Sequence, residues 1–161
     1  MGRTDTASRV IQAPLAAVFA ALVDPEALVR WLPPSGMTGR FDYFDGHAGG
    51  SYRMVLTYDR APAAGGKSDQ NSDVTEGRFI DVAPDERVVQ AIDFRSDDPS
   101  FRGTMTMTWS VAATDGGTRV DMRADNVPPG ISAEDHEEGM TSSLANLAVY
   151  MAERGSRPGA D

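Results

Sequence analysis

The feature that most constrains this chain is a long run of strand-like alternation followed by one long helical segment. Between residues 37 and 126, apolar and polar residues alternate with a period of two over successive segments. This pattern is typical of antiparallel strands with one wet face and one covered face. From Ile131 to Glu153 the apolar period changes to that of a helix. The sequence therefore predicts an α+β protein in which one long helix covers a large antiparallel sheet.

The helical segment has a well-defined start and a single apolar face. Pro128-Pro129-Gly130 ends whatever precedes it, and Ser132 with Asp135 resembles a capping box in which Asp replaces the usual Glu. Acidic residues crowd the first turns, where the helix dipole favours negative charge. Steps of three and four residues place His136, Met140, Leu144, Leu147 and Met151 on one face.

The remaining elements follow from turn and period signals. The predicted order is one strand, two short helices, six strands and the long helix. Pro14 suits the first position of the first helix, and Asp24-Pro25-Glu26 starts the second. Residues 60–72 read as a loop of a length that permits a lid. We expect one domain with a core at about residues 6–153 and flexible termini. The strands are expected at residues 6–12, 37–43, 52–58, 74–82, 88–94, 102–112 and 118–125.

Composition excludes several classes of function. The chain has 161 residues, a formal net charge of −9 and a pI of about 4.6, so phosphate backbones would repel it and nucleic acid is not an expected partner. The absence of cysteine excludes disulfides, thiolate catalysis and cysteine-ligated metal. No run approaches the roughly 18 apolar residues of a membrane span, and residues 1–13 lack a signal-peptide pattern. We expect a cytoplasmic protein without membrane insertion.

A helix laid across a twisted sheet of about seven strands need not fill all the space on the concave side. That space is the obvious place for a ligand. Methionine and aromatic side chains dominate the face predicted to point inward, and they would offer an adaptable apolar wall. The predicted lining consists of Tyr52, Met54, Leu56, Ile92, Phe94, Met105, Met107, Trp109, Val120, Met122, His136, Met140, Leu144 and Leu147.

Five segments along the chain occur in an order typical of one protein group. They are the stretch from Pro14 to Trp31, Gly49-Gly50-Ser51-Tyr52-Arg53, Gly77 to Val88, Gly117-Thr118-Arg119-Val120 and His136-Glu137-Glu138-Gly139-Met140. On these residues the chain resembles the SRPBCC or START-like superfamily, in the branch similar to the activator of heat shock protein 90 ATPase homologues. The resemblance covers nearly the whole chain. It implies a helix-grip fold, in which a curved antiparallel sheet wraps around a C-terminal helix and leaves a cavity between them.

One position departs from the pattern of that group. Members commonly carry His-x-x-Gly-Trp at the start of the last helix, and here Met140 stands in the Trp position. Because Met is smaller and more adaptable than Trp, the cavity mouth is expected to be wider or less rigid.

Two histidines are candidates for chemistry. His136 shares the inner helix face, so it could act as an acid or base at the cavity edge, or it could be a structural His whose ring bonds a loop carbonyl or a strand side chain. His47 lies near Asp42 and Asp45, but three or four converging ligands are needed for a metal, and an exposed loop is the better interpretation. No metal, cofactor or catalytic residue is assigned.

Charged residues within the strands are expected to face water. Sequence phase places Arg53 opposite Tyr52 and Met54, and Asp93 and Arg95 on the face opposite Phe94. The face occupied by Arg78 is left open, because Phe79 and Val82 have opposite parity in the same strand and a bulge would be needed to bury both.

Three functions are consistent with these patterns. The first is binding of an apolar or aromatic small molecule between the sheet and the C-terminal helix. The second is a polyketide cyclase or dehydratase-like enzyme, in which His136 and a nearby Tyr transfer protons; whether the chain is an enzyme stays open, since no catalytic constellation is visible. The third, ranked last, is a co-chaperone-like domain that contacts a protein partner through its surface.

Overall fold

The computed structural model describes residues 3–33, 36–58, 72–94 and 96–156. The predicted loop at residues 60–72, for which a role as a lid was left open, lies outside the described residues except for Ser72. Arg95 also lies outside them.

Seven strands and three helices follow one another in the predicted order. Their bounds are β1 Arg3–Ile11, α1 Leu15–Val23, α2 Pro25–Trp31, β2 Met37–Phe44, β3 Ser51–Tyr58, β4 Ser72–Ala83, β5 Arg87–Phe94, β6 Met105–Thr114, β7 Gly117–Val127 and α3 Ala133–Ser156, with a single 3-10 turn at Pro99–Phe101 before β6.

All seven strands form one antiparallel sheet in the order β1-β7-β6-β5-β4-β3-β2. Consecutive strands from β2 to β7 are neighbours, and β1 completes the sheet beside β7. The helix α3 lies across the inner face and packs against β1 and α2. The predicted α+β helix-grip architecture is confirmed.

The short helices are held by their ends. Pro14 has an extended backbone (φ −63°, ψ 148°) and precedes α1 as its N-cap, one position earlier than the first helical position predicted for it. The Asp24 side chain accepts a hydrogen bond of 3.0 Å from the backbone N–H of Glu26, so it caps α2 as predicted. The indole Nε1 of Trp31, which is fully buried, donates to the carbonyl of Ala21 at 3.0 Å and fixes α2 against α1.

The long helix α3 begins after the predicted cap. The backbone N–H of Asp135 donates to the Ser132 hydroxyl at 3.1 Å. Beyond the cap, the predicted inner face is buried at Met140, Leu144, Leu147 and Met151. Farther round the helix, the Ser143 hydroxyl donates to the carbonyl of Leu32 at 2.8 Å, which ties α3 to the end of α2.

A bulge in β4 explains why the sequence pattern did not show which residues of this strand face the core. The register with β5 shifts between Phe79 and Asp81, and Ile80 in between is exposed. The extra residue lets both Phe79, which is 1% exposed, and Val82 pack against the core although their parities differ. Arg78 lies on the opposite face from Phe79 and is exposed.

Two predicted strand starts are wrong by three residues, and several other strand boundaries differ by one or two residues. The strand β6 begins at Met105 rather than at residue 102, because the 3-10 turn and Gly103, with φ of +98°, separate β5 from β6. The strand β1 begins at Arg3 rather than at residue 6, because Arg3 and Asp5 pair with Val127 and Ala124 of β7.

Candidate functional site

A cavity of about 430 Å³ lies between the inner face of the sheet, the two short helices and the first half of α3. Side chains from α1, α2, from each of the strands β2 to β7 and from α3 line it. The exposed residues Asp135 and Glu138 of α3 mark its mouth.

Most of the predicted lining residues come together around this cavity. Those that line it are Tyr52, Met54, Leu56, Ile92, Phe94, Met105, Met107, Trp109, Met122, His136 and Met140. Among these, Met140 is 3% exposed. That any of them contacts a ligand stays a prediction.

Three predicted lining residues do not reach the cavity. Val120, Leu144 and Leu147 are almost completely buried in the packed core. Alternation and helical phase show which face a residue occupies, but they do not show how far along that face the empty space extends. Leu144 and Leu147 lie one and two turns beyond Met140, where buried side chains fill the space beside α3.

Several lining residues were not predicted. The sequence signal for Gln90 was present, because it has the same parity as Ile92 in β5, but a polar residue was not expected to face inward. Asp73 and Thr75 were missed because the face of β4 could not be assigned without the bulge. The other unpredicted lining residues are Leu22, Leu28, Leu32, Met37, Phe41, Phe44, Tyr58, Ile131, Asp135, Glu138, Gly139, Ser142 and Ser143.

An aromatic cluster forms one wall. The ring of Tyr52 packs at 5.9 Å from Phe41 and at 5.5 Å from Phe79, and Phe44 lies 4.9 Å from Phe41. Tyr52 pairs across the strands with Gly77, and a Cβ at position 77 would overlap the Tyr52 ring. The absence of a side chain at Gly77 therefore leaves room for the Tyr52 ring. Burial raises the pKa of Tyr52, so this residue acts as a neutral, largely apolar part of the wall.

Trp109 connects the cavity wall to the helices. Its ring meets Trp31 edge to face at 5.5 Å. Its indole Nε1 donates to the side-chain oxygen of Gln90 at 3.2 Å. Both Trp109 and Gln90 line the cavity, so this bond fixes the amide orientation within the wall.

His136 is held by the first strand. Its Nδ1 lies 2.7 Å from Oδ2 of Asp5, and the two side chains are 13% and 12% exposed. Arg3 donates to the same carboxylate at 2.9 Å and, through Nη2, to the carbonyl of Ile131 at 2.6 Å. The pKa of Asp5 lies below its usual value, first because Arg3 donates to it and also because His136 does, while burial acts in the opposite direction.

His136 has features of both roles considered for it, that of a structural residue and that of a polar group at the cavity edge. One ring nitrogen makes the structural bond to a strand side chain, and the ring also lines the cavity. Asp5 was missed because the alternation at the N-terminal end of β1 is weak and the strand was predicted to start one residue after it.

A second carboxylate is buried in the cavity wall. The Tyr58 hydroxyl donates to Oδ2 of Asp73 at 2.9 Å, and Asp73 is 2% exposed. Burial raises the pKa of Tyr58, and the hydrogen bond to Asp73 raises it further. The Tyr58 hydroxyl therefore remains a proton donor to the carboxylate at ordinary pH.

The cavity lining is acidic. Among the described residues that line it, the charged side chains are the carboxylates of Asp73, Asp135 and Glu138, and no Lys or Arg is present. Arg53 and Asp93 lie outside this lining: Arg53 faces Asp42 at 3.5 Å, and Asp93 accepts a 2.6 Å hydrogen bond from Thr104.

The other histidine is remote from the cavity. The His47 side chain is 92% exposed and contacts Asp45 at 2.6 Å. In the part of the chain that the structure describes, no group of three metal-binding side chains converges. None of the described helices is both long and apolar enough to cross a membrane.

Solved structures of several bacterial proteins are similar to this one. A protein of Chromobacterium violaceum is 28% identical, with a TM-score of 0.81 over 92% of this chain and 96% of that one. The AHSA1 protein of Silicibacter pomeroyi is 22% identical, with a TM-score of 0.76 over 94% and 99% of the two chains. A protein of Staphylococcus epidermidis is 19% identical, with a TM-score of 0.73 over 98% and 94%. The last two likenesses show the fold alone.

The family relationship rests on sequence as well as on fold. No protein with a curated function matches this chain. The sequence model of one family, described as Activator of Hsp90 ATPase homolog 1-like protein, matches residues 12–152 and so spans most of the fold and most of the cavity lining. The chain belongs to the family of Activator of Hsp90 ATPase homolog 1-like proteins.

Proposed function

We propose that this protein binds an apolar or aromatic small molecule in the cavity between the sheet and α3. The observation that carries the proposal is the cavity itself, about 430 Å³ in volume and lined mainly by Met, Leu and aromatic side chains with a few polar groups among them. Small-molecule sites typically have volumes of roughly 300–1,000 Å³ and this kind of lining.

The volume bounds the size of the ligand. An apolar cavity of about 150 Å³ holds one benzene ring. A cavity of about 430 Å³ has nearly three times that space and fits a compound of two or three rings. Flexible thioether side chains can adjust to such a compound without backbone movement. Six methionines line the cavity from the sheet and α3: Met37, Met54, Met105, Met107, Met122 and Met140.

The test is an amide-resolved NMR titration of isotopically labelled protein. The panel contains aromatic polyketide analogues, flavonoids, fatty acids and sterols. We expect saturable shifts with one class, centred on amides of residues that line the cavity, such as Met105, Trp109 and Met140. Shifts confined to the outer face of the sheet, or no shifts with any compound, would contradict the proposal.

A second candidate function is acid-base catalysis in the same cavity. The observation that favours it is the bond between Asp5 and His136, since a carboxylate that orients an imidazole is a common arrangement for a general base. The tyrosines Tyr52 and Tyr58 are poor partners for this chemistry, because their pKa values are raised. Here the test is turnover of reactive polyketide-like substrates. A His136→Ala variant that folds and binds but loses turnover would support an enzyme.

The exposed apolar residues offer little support for a function in binding a protein partner. The exposed large apolar residues among those described are Val10, Tyr43, Ile80 and Val149, which come from four different elements. Scattered single apolar residues are ordinary on protein surfaces.

A further inference from the structure

We propose that the ligand is a neutral aromatic compound that carries a hydroxyl group, which donates to His136, and a carbonyl oxygen, which accepts from Gln90. This inference deepens the proposed binding function and rests on it. It follows from the way in which neighbouring groups fix the hydrogen-bonding direction of these two side chains.

The first anchor is an acceptor. Asp5 is ionised and can only accept hydrogen bonds, so the Nδ1 of His136, 2.7 Å away, must carry the proton that it donates. In the neutral ring this leaves the lone pair on Nε2. That atom has no hydrogen-bond partner among the described residues, and the ring lines the cavity. In this neutral tautomer His136 presents an acceptor, which a hydroxyl hydrogen of the ligand satisfies.

The second anchor is a donor. The indole N–H of Trp109 can only donate, so the atom of the Gln90 amide that faces it must be the oxygen. The NH₂ group of Gln90 then points away from Trp109. It has no partner among the described residues, and Gln90 lines the cavity. A carbonyl oxygen of the ligand is the complement of this group.

Asp5, which holds the first anchor His136, lies on one row of the sheet with the second anchor Gln90. Asp5 pairs with Ala124, Ala124 with Met107, and Met107 with Gln90. Three strand spacings of about 4.8 Å separate Asp5 from Gln90, which is roughly 14 Å along the sheet. His136 reaches from α3 to Asp5 at one end of this row, Gln90 stands at the other end, and both residues line the cavity. A ligand of two or three fused or linked rings extends from one anchor towards the other.

The charges of the lining argue for a neutral ligand. The exposed carboxylates of Asp135 and Glu138 line the cavity, and the described part of the lining contains no Lys or Arg that could pair with a carboxylate. A fatty acid or another carboxylate ligand would bring a negative charge towards these two carboxylates. A phenol or enol brings none.

The experiment compares three ligands that differ by one group. They are a monohydroxyflavanone, its O-methyl ether and the corresponding hydroxyflavan, in which a CH2 group replaces the ring carbonyl. Binding is followed by quenching of tryptophan fluorescence, since Trp109 lines the cavity. We expect the hydroxyflavanone to bind roughly three- to tenfold more tightly than either analogue, the effect of one hydrogen bond.

Two variants then assign each difference to one side chain. In Gln90→Leu the preference over the hydroxyflavan should disappear while the preference over the methyl ether remains. In His136→Leu the reverse should hold. Each comparison is made between two ligands that bind the same variant, so a change in the stability of that variant affects both affinities alike. Gln90 does not contact Asp5, so Gln90→Leu leaves the bond between Asp5 and His136 unchanged. Equal binding of all three ligands, or tighter binding of a fatty acid, would overturn this inference and leave the binding function standing. Binding of no compound in either assay would overturn both.

Discussion

Oδ2 of Asp5 lies 2.7 Å from Nδ1 of His136, although 131 positions separate the two residues in the chain. Arg3 completes the group by donating to Asp5 and to the carbonyl of Ile131 just before α3. The edge strand β1 is therefore bound to the start of the helix whose next residues line the cavity mouth. The position of His136 depends on a part of the chain that does not itself line the cavity.

Replacing Asp5 should destabilise the protein in a pH-dependent way. We expect Asp5→Leu to lower the free energy of unfolding by about 1–3 kcal/mol at neutral pH, because hydrogen bonds to a nearly buried carboxylate are lost. The folded-state pKa of Asp5 is lowered, so its contribution is present above the usual carboxyl pKa of about 3.9 and is lost as the pH falls through the lower folded value.

Urea unfolding of wild type and variant at pH 7 and at pH 3 measures this. Asp5→Asn is the matched control, because its amide oxygen still accepts from His136, and its effect should be smaller than that of Asp5→Leu. A stability difference that does not shrink at the lower pH would contradict the prediction.

Adding a methyl group at position 77 should disturb the aromatic wall. A Cβ on Gly77 would overlap the buried Tyr52 ring, so we expect Gly77→Ala to destabilise the protein by about 1–3 kcal/mol. Gly39→Ala is the comparison, since its Cβ would meet the flexible end of Met54 at 2.9 Å. Thermal unfolding should rank Gly77→Ala as the more damaging of the two. In a Tyr52→Leu background the penalty at position 77 should fall, and equal penalties in both backgrounds would show that the ring is not the cause.

A larger side chain at position 139 should reduce the volume of the cavity without straining the fold. It lies on α3, lines the cavity, and a Cβ there would meet nothing within 4 Å. We expect Gly139→Ala to raise the unfolding free energy by about 0.5–1 kcal/mol, because a glycine within a helix is unfavourable relative to alanine. Gly139→Leu should remain folded but weaken binding of any ligand found in the panel. The two variants are compared by circular dichroism and by the same titration. Unchanged binding by Gly139→Leu would place the ligand elsewhere.

Removing the Tyr58 hydroxyl should destabilise the protein, because the buried carboxylate of Asp73 loses a hydrogen bond. We expect Tyr58→Phe to cost about 1.5–3 kcal/mol, because the lost bond of 2.9 Å goes to a carboxylate that is 2% exposed. Tyr43→Phe removes a hydroxyl from an exposed ring and should change stability little. The folded-state pKa of Tyr58 is raised, so its contribution is complete below about pH 10 and declines as the pH rises above that value. Chemical unfolding at pH 7 and at pH 10.5 measures both effects. A cost as small as that of Tyr43→Phe would contradict the prediction.

Much of the fold could be predicted where the local pattern and the tertiary structure agree. The alternation of β7 and the apolar stripe of α3 report burial directly, because one face of each element is covered and the other is wet. In β4 the bulge after Phe79 changes the parity, and a pattern of period two cannot show where an extra residue enters. The start of β6 was predicted too early because Arg102 and Thr104 continue the alternation through a turn that Gly103 creates.

The candidate site could be predicted in its apolar part only. Inward methionines and aromatics follow from parity, whereas Gln90, Thr75 and Asp73 break the rule that polar residues face water. The Asp5–His136 contact depends on two segments distant in sequence, and no local pattern relates them. Val120, Leu144 and Leu147 show the opposite error, since a residue on the correct face can still lie in filled core.

The position of β1 in the sheet has a consequence for the order of events in folding. This strand precedes the other described strands in the sequence, and in the sheet it lies beside β7, the last of them. On a ribosome, β1 must therefore wait, unpaired, until nearly all the other strands have been synthesised. Contacts between such distant segments must overcome a large loop-closure entropy, which makes folding slow. The contact between Asp5 and His136 should therefore form among the last, after the strands that line most of the cavity have paired.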